Sequence, residues 1–151
     1  MLTGFLISFL AGDLRRPGNG ETINYTHVLF EWEQEPDAHI YCIQVSTIPS
    51  FDQVLFTDSS ATTLIINRDQ IDWNDTYYWR IRSISIDGGI GSWCDPDSFN
   101  TSPPKFQDAN VTVIQDELIQ DGLTLFGGAF PALQSGVIDI YGNEVWNDHD
   151  L

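Results

Sequence analysis

The sequence predicts an all-β protein built around one two-layered sandwich, and three observations carry that prediction. Aromatic and branched side chains alternate with polar ones along residues 28–34, 39–47 and 76–85, a period of two that is typical of strands with one buried face. Turn residues interrupt the chain about every ten residues, and no segment shows a helical period. Tryptophans stand on two of the separated strands, as the core of a small sandwich requires.

The elements begin with a turn-rich lead-in at residues 15–23, which can form only a short edge strand. Two longer strands follow, separated by a turn at Pro36 and Asp37. Phe51 is expected to plug one end of the sandwich, and shorter strands are expected at 54–57, 62–67 and 97–101 around the long aromatic strand. Alternation assigns a set of side chains to the core: Val28, Phe30, Trp32, Tyr41, Ile43, Val45, Tyr77, Trp79 and Ile81.

Six short motifs occur in a fixed order over nearly ninety residues: Pro17-Gly-Asn-Gly, Phe30-Glu-Trp32, Tyr41-Cys-Ile-Gln-Val-Ser46, Thr76-Tyr-Tyr-Trp-Arg-Ile-Arg82, Gly91-Ser-Trp93 and Ser98-Phe-Asn-Thr101. Through these motifs, residues 13–102 resemble a fibronectin type III domain of the kind found in secreted bacterial proteins. The resemblance implies an immunoglobulin-like sandwich of about seven strands, with Tyr77 as the tyrosine-corner residue whose hydroxyl bonds to nearby backbone. It also implies a spacer or ligand-binding role without a reaction.

The two prolines of Thr101-Ser-Pro-Pro-Lys105 end the last strand, and residues 103–108 are predicted to be a semi-rigid linker. Short β runs follow within residues 109–151, including one hairpin whose turn lies near Tyr141. So few strands cannot close a core of their own. This tail is therefore either the opening of a larger domain, the interpretation we favour, or an element that borrows a surface.

Two motifs of the tail, Asp121-Gly-Leu-Thr-Leu-Phe126 and the run from Gly136 to Trp146, resemble the opening of the bacterial arylsulfotransferase β-propeller. The resemblance covers about 30 residues and departs at Leu123, where that family often has tyrosine. In that family a histidine well downstream of the opening accepts the sulfuryl group, and no position here matches it. The resemblance implies a partial propeller segment at 109–151 and an inactive chain.

The charge balance excludes some partners. The chain has 22 acidic and 6 basic residues and a formal net charge of −16, which repels nucleic acid and anionic lipid. The apolar run within residues 1–12 is too short to span a bilayer. It is interpreted as a signal peptide whose basic start is missing, or else as a short strand packing on the domain. The first interpretation makes the protein secreted or extracellular, with the periplasm as a further compartment.

Candidate functional residues are few. Alternation places Arg80 and Arg82 on the outer face of their strand, where Trp93 can stack on them. This patch is interpreted first as a structural ladder and second as a docking site for a carbohydrate or protein ligand. Cys42 and Cys94 can form one disulfide in an oxidising compartment, although alternation turns Cys42 outward and away from Cys94.

No catalytic, cofactor-binding or metal-binding set is predicted. The triplet Asp69, Asp72 and Asp75 lacks the spacing of a calcium loop, and Asn147-Asp-His-Asp150 is interpreted as a solvated acidic tail rather than a cation site. His27 and His39 lie at strand ends without partners in the sequence. The resemblances together predict a secreted, non-catalytic module at the start of an arylsulfotransferase-like protein. The alternative is an adhesive or fibre-forming subunit that adds a strand of its tail to a neighbouring molecule.

Overall fold

The computed structural model describes residues 12–106, 122–128 and 133–148. The apolar run at residues 5–11 and the predicted tail strand at 111–115 lie outside these ranges. Every regular element within the described ranges is a β-strand, and the strands form a sandwich followed by a smaller sheet. The predicted all-β fold class is therefore confirmed.

Eleven strands lie in the described residues. They are β1 (Leu14–Arg16), β2 (Glu21–Ile23), β3 (Val28–Trp32), β4 (Ala38–Ser46), β5 (Phe56–Ser60), β6 (Leu64–Asn67), β7 (Thr76–Ser85), β8 (Asp97–Thr101), β9 (Thr124–Gly128), β10 (Gln134–Ile138) and β11 (Glu144–Asn147). The long strands agree with the sequence prediction to within about one or two residues, and β7 and β8 agree at both ends.

The sandwich consists of a three-stranded sheet with the order β1-β3-β6 and a five-stranded sheet with the order β2-β8-β7-β4-β5. Its neighbouring strands run antiparallel except β2 and β8, which run parallel. The chain passes from one sheet to the other between β1 and β2, where the Arg16–Pro17 peptide bond is cis. The lead-in thus forms two short strands instead of the single one predicted, because each half of it pairs with a different sheet.

An aromatic cluster joins the two sheets. Tyr77, Trp79 and Ile81 point inward from β7 and are each at most 1% exposed. The ring of Phe30, on β3 of the opposite sheet, meets the rings of Trp79 and Phe99 edge-on at centroid distances of 5.2 and 5.9 Å. Edge-to-face pairs of this kind contribute about 0.5–1.5 kcal/mol beyond the burial of their area. The cluster is therefore the main attachment between the layers.

Two buried tyrosines tie loops to this core through their hydroxyl groups. The Tyr77 hydroxyl accepts a hydrogen bond from the Asp72 N–H at 2.8 Å, and the Tyr41 hydroxyl accepts one from the Glu35 N–H at 2.7 Å. Tyr41 also packs edge-on against Trp32, with ring centroids 5.4 Å apart. Burial raises the pKa of both phenols, which keeps them protonated.

The prediction for Phe51 is wrong in its location. Phe51 is 7% exposed but lies outside the sandwich core, and its ring packs on the Arg80 guanidinium at 4.0 Å. Its backbone has a positive φ of 57°, a left-handed conformation that turns the loop after β4 back over the outer face of the sheet. Sequence alternation could not show this reversal, because it arises in an irregular loop.

The third sheet has the order β9-β10-β11 and is antiparallel throughout. It contains the predicted hairpin as β10 and β11 and adds β9 alongside. The hairpin turn is stabilised by Asp139, whose carboxylate accepts hydrogen bonds from the Tyr141 and Asn143 N–H groups, both at 2.8 Å. Gly142 adopts a φ of 89° there, a conformation that favours glycine.

Within the described ranges, the protein has no helix long and apolar enough to cross a membrane.

The core assignment predicts a sharp contrast between two substitutions of Trp79. Trp79→Ala leaves a cavity between the sheets and should lower the free energy of unfolding by about 3–5 kcal/mol. Trp79→Phe keeps an aromatic ring there and removes an indole N–H that has no acceptor among the described residues, so it should cost less than half as much. Urea unfolding measures both, with Ile86→Ala, at an 84% exposed position, as control. Equal losses for the two variants would contradict the assignment.

Candidate functional site

The predicted patch forms one stacked group on the outer face of the five-stranded sheet. The central guanidinium carbon of Arg80 lies 4.6 Å from the centroid of the Trp93 ring, and that of Arg82 lies 4.4 Å from it. Each such contact contributes about 0.5–1 kcal/mol at an exposed site. We call Arg80, Arg82 and Trp93 together the arginine–tryptophan stack.

Two further residues, Gln44 and Phe51, contact Arg80, and the sequence analysis did not predict either contact. Gln44, paired with Arg80 in the β4–β7 register, accepts hydrogen bonds from the Nε and Nη2 atoms at 3.2 and 2.8 Å. Phe51 packs on the same guanidinium. Burial lowers the pKa of Arg80, and the neighbouring charge of Arg82 acts in the same direction. Arg80 is thus largely committed to structure, whereas the Nε of Arg82 is buried without an acceptor in the described part of the chain.

A hairpin after β7 carries Trp93 back over the sheet. Its turn contains Gly88, with a φ of 84°, and Asp87, whose carboxylate accepts a hydrogen bond from the Gly89 N–H at 3.2 Å. The returning chain then runs along β7 on the side away from β4, with Gly91 donating to the Ser83 carbonyl at 2.9 Å. The glycine-rich turn seen in the sequence is therefore what positions the indole.

Cys42 and Cys94 are both free thiols. Cys42 on β4 pairs in register with Arg82 of β7, whereas the Cys94 N–H donates to the Ile81 carbonyl on the opposite edge of β7. A whole strand therefore separates the two cysteines, a spacing larger than a disulfide can bridge. Of the two alternatives left open by the sequence, the unpaired one is observed.

The third sheet is attached to the sandwich by backbone pairing. The short segment between β2 and β3 lies beside β11, where Tyr25 and Trp146 form an antiparallel bridge. The Thr26 N–H donates to the Val145 carbonyl at 3.0 Å, and the Asn147 N–H donates to the Asn24 carbonyl at 3.1 Å. Residues 24–26 thus act as a fourth strand of the third sheet. We call this contact, with the side chains around it, the junction.

Side chains reinforce the junction around Glu144. Its carboxylate accepts hydrogen bonds from the backbone N–H groups of Lys105 and Phe106 at 3.0 and 2.7 Å, and from the Asn147 side chain at 2.7 Å. On the sandwich side, the Trp73 indole donates to the Glu144 carbonyl at 2.9 Å. The predicted linker is therefore held against β11 over its described residues.

Two further predictions about charged residues need correction here. Lys105, in the predicted linker, is not simply part of a spacer: it forms an ion pair with Asp148 at 3.1 Å, and both side chains are largely buried. Asn147 is fully buried, so the start of the Asn147-Asp-His-Asp150 tail is not solvated. Both differences arise because β11 pairs with residues 24–26 of the sandwich, which brings its polar side chains into the contact. Residues 149–151 lie outside the described ranges.

The other candidate ligands do not converge. Among the described residues, no group of three or more histidine, cysteine, aspartate or glutamate side chains is placed to hold a metal ion. Asp75 caps the start of β7 through the Thr76 N–H, while Asp69 and Asp72 line a cleft near the junction. His39 is exposed on β4, and His27 lines the same cleft as the two aspartates.

Neither the protein-family models nor the curated protein sequences give a match to this chain. Some solved structures are similar to it. The α-L-rhamnosidase from Dictyoglumus thermophilum has a TM-score of 0.51 and 11% identity, over 84% of this chain and 16% of that one. The Streptomyces avermitilis α-L-rhamnosidase complexed with L-rhamnose has a TM-score of 0.48 and 15% identity, over 61% of this chain and 10% of that one. The chain spans less than a fifth of either enzyme, and the likeness to the Dictyoglumus thermophilum enzyme, at 11% identity, supports the all-β fold alone.

The junction predicts release of the third sheet by acid. Desolvation acts to raise the pKa of Asp148, but hydrogen bonds from Lys105 and the Ser135 N–H, with the Lys105 charge, hold the pKa below its usual value. A carboxyl with a depressed pKa in the docked state stabilises that state above its released-state pKa of about 3.9. That stabilisation is lost as the pH falls through the lower, docked-state value.

The Trp73 indole N–H reports the docked state in NMR spectra, because its acceptor belongs to β11. We expect its signal to shift toward that of a free indole as the pH falls below about 4. Asp148→Asn should weaken docking at neutral pH and flatten this dependence. An indole signal that is unchanged by acid, or that shifts identically in the variant, would contradict the assignment to Asp148.

Proposed function

We propose that the protein is a secreted, non-catalytic module of the fibronectin type III kind that holds a second domain in a fixed orientation. The sandwich is the module, the third sheet is the beginning of the second domain, and the junction between them fixes the angle. The function is mechanical, and it requires no reacting group in the described residues.

The sequence motifs and the strand order support the first half of this proposal. The six motifs match the fibronectin type III pattern in order and spacing, and four of them lie on β3, β4, β7 and β8 of the sandwich, which supports the proposal. The Tyr77 hydroxyl bonds back to the backbone of Asp72, as a tyrosine corner does. The distant fold likeness to small parts of much longer enzymes is compatible with an accessory role.

The junction carries the second half of the proposal. Free linkers let domains reorient, whereas this connection combines strand pairing, a buried asparagine, an ion pair and a carboxylate with three hydrogen-bond donors. A contact of this kind resists bending, because every polar group drawn into it loses its partner when the sheet tilts.

The identity of the second domain is the finer part of the proposal. The tail motifs resemble the opening of an arylsulfotransferase propeller, and β9, β10 and β11 form an antiparallel meander such as opens a propeller blade. On this proposal the module spaces an aryl sulfotransferase whose reacting groups lie beyond the described residues. The arginine–tryptophan stack, on the outer face of the five-stranded sheet, is the surface proposed for a carbohydrate or protein ligand.

One observation favours the adhesive alternative as a second candidate. β9 is an edge strand whose outer side has no strand partner in the described part of the chain, and Leu125 on it is 71% exposed. Such an edge can accept a strand from another molecule. The two candidates differ in their solution behaviour, because strand addition gives a mass that grows with protein concentration and a positioning module stays monomeric.

A rigid junction predicts that the two parts tumble together. Rotational correlation times from backbone ¹⁵N relaxation should be equal for amides in β7 and in β10. Glu144→Ala removes the acceptor of three donors and should give the third sheet a shorter apparent correlation time. Glu31→Ala, which removes only an exposed ion pair to Arg16 on the sandwich surface, is the matched control and should change nothing. Independent tumbling in the wild-type protein would overturn the proposal.

The proposal also predicts that residues 1–151 do not turn over an aryl sulfate ester. Sulfuryl transfer needs a nucleophile and fixed donors around the departing oxygens. Five of the six basic residues are already engaged: Arg80 and Arg82 with Trp93, Arg15 with Glu33, Arg16 with Glu31, and Lys105 with Asp148. Release of 4-nitrophenol from its sulfate ester, followed by absorbance, should equal the buffer blank. Turnover that is lost in His149→Ala would contradict this.

A further inference from the structure

A cleft of about 550 Å³ lies between the sandwich and the third sheet. One wall is the loop from Arg68 to Trp73 that comes after β6, and the other is the turn from Asp139 to Val145. Two hydrogen bonds of the junction, Trp73 to the Glu144 carbonyl and the Thr26 N–H to the Val145 carbonyl, hold the walls together. The cleft is therefore preformed, and its volume suits a small ligand.

Several polar side chains lining the cleft are unpaired. His27, Arg68, Asp69 and Asp72 make no side-chain hydrogen bond or ion pair to other described residues. By contrast, the carboxylate of Asp139 is already occupied by the turn that it stabilises. The cleft is therefore lined by hydrogen-bond donors and acceptors that are available to a ligand.

His27 is half-buried between groups of both charges. Burial lowers the pKa of its imidazole and the charge of Arg68 lowers it further, while Asp139 and Asp69 act weakly to raise it. The net direction is downward, so the ring is neutral at neutral pH. A neutral imidazole offers one donor and one acceptor, which matches a hydroxyl group better than it matches an ion.

Aromatic surface lies beside these polar groups. Tyr141 stands at the tip of the hairpin turn and is 80% exposed, an unusual position for a large ring. Trp73, on the facing wall, has its ring orientation fixed by its hydrogen bond to the Glu144 carbonyl. Ring faces of this kind make favourable contact with C–H groups without requiring a charge on the ligand.

The combination selects one chemical class of ligand. An anion is repelled, because Asp69, Asp72 and Asp139 outnumber Arg68. A purely apolar ligand would strip water from the unpaired groups and leave them unsatisfied. A metal ion lacks a set of three suitable side chains in the described residues, and Arg68 opposes a cation.

We propose that this cleft binds a neutral, hydroxyl-rich ligand, one or two sugar units, with hydroxyl groups on Asp69, Asp72 and His27 and a carbon face on Tyr141. The site is separate from the arginine–tryptophan stack, which lies on the outer face of the five-stranded sheet. It is built from both parts of the protein, so it exists only while the junction is closed.

The test uses residues 1–151 and a panel of methyl glycosides of glucose, galactose, mannose, xylose and rhamnose, with tetramethylammonium chloride as a cationic probe. Each is titrated to tens of millimolar while ¹H–¹⁵N spectra are recorded. We expect at least one glycoside to give saturable shifts at Thr26, His27 and Gly142 and at the Trp73 indole, with Trp93 unmoved. Tyr141→Ala and Asp69→Asn, both at exposed positions, should each weaken this binding at least tenfold, and Asp58→Asn on β5 should leave it unchanged.

Three outcomes would overturn the proposal. One is the absence of saturable shifts with every glycoside. Another is saturation by tetramethylammonium at the same residues with no effect of any sugar. The last is glycoside shifts that persist unchanged in Tyr141→Ala and Asp69→Asn, which would place the binding elsewhere. The proposal rests on a closed junction, and neither substitution touches the contacts of β11 with residues 24–26. A loss of binding in these variants therefore reports on the cleft, whereas an open junction is detected separately by the relaxation measurements.

Discussion

The strict alternation of side chains along β7 is the constraint on which the rest of the structure depends. β7 lies in the middle of the five-stranded sheet, so it contacts both β4 and β8 and presents one face to the opposite sheet. A shift of one residue would move Trp79 to solvent and Arg80 into the core. That exchange would bury a charge without a partner, a cost of several kcal/mol, and would remove the aromatic cluster that joins the layers. The register of the sandwich is therefore fixed by β7.

The same alternation determines what the outer face can offer. With Arg80 and Arg82 two residues apart on that face, one indole can cover both, and the glycine turn after β7 brings Trp93 to them. Gln44 then enters from β4 because the antiparallel register sets it opposite Arg80. The stiffness of the sheet and the basic patch on an acidic protein therefore both follow from the side-chain alternation of β7.

The sequence was sufficient for features that depend on local periodicity and failed for features that depend on contacts between distant segments. The core residues and the bounds of β7 and β8 follow from period-two alternation, which is a property of the strand itself. Phe51 over Arg80 depends on a left-handed loop residue, and the Glu144 cluster depends on the docking of a strand more than one hundred residues away from its partner segment. Neither the Phe51–Arg80 contact nor the Glu144 cluster is associated with a periodic pattern in the sequence. Residues 24–26 are irregular and lie between two strands of different sheets. Nothing in their sequence predicts that they pair with a strand of the third sheet.

Placing a cleft at the junction links binding to orientation. A ligand that touches both the loop after β6 and the turn before β11 has contacts in the docked state that it loses when the third sheet is released. By linkage, such a ligand stabilises the docked state by the difference in its binding free energy for the two states. A change that opens the junction must weaken ligand binding by the same amount. Trp73 belongs to both, since it lines the cleft and donates to the Glu144 carbonyl. On the two proposals, the docking of the third sheet and the occupancy of the cleft are therefore two measures of a single equilibrium.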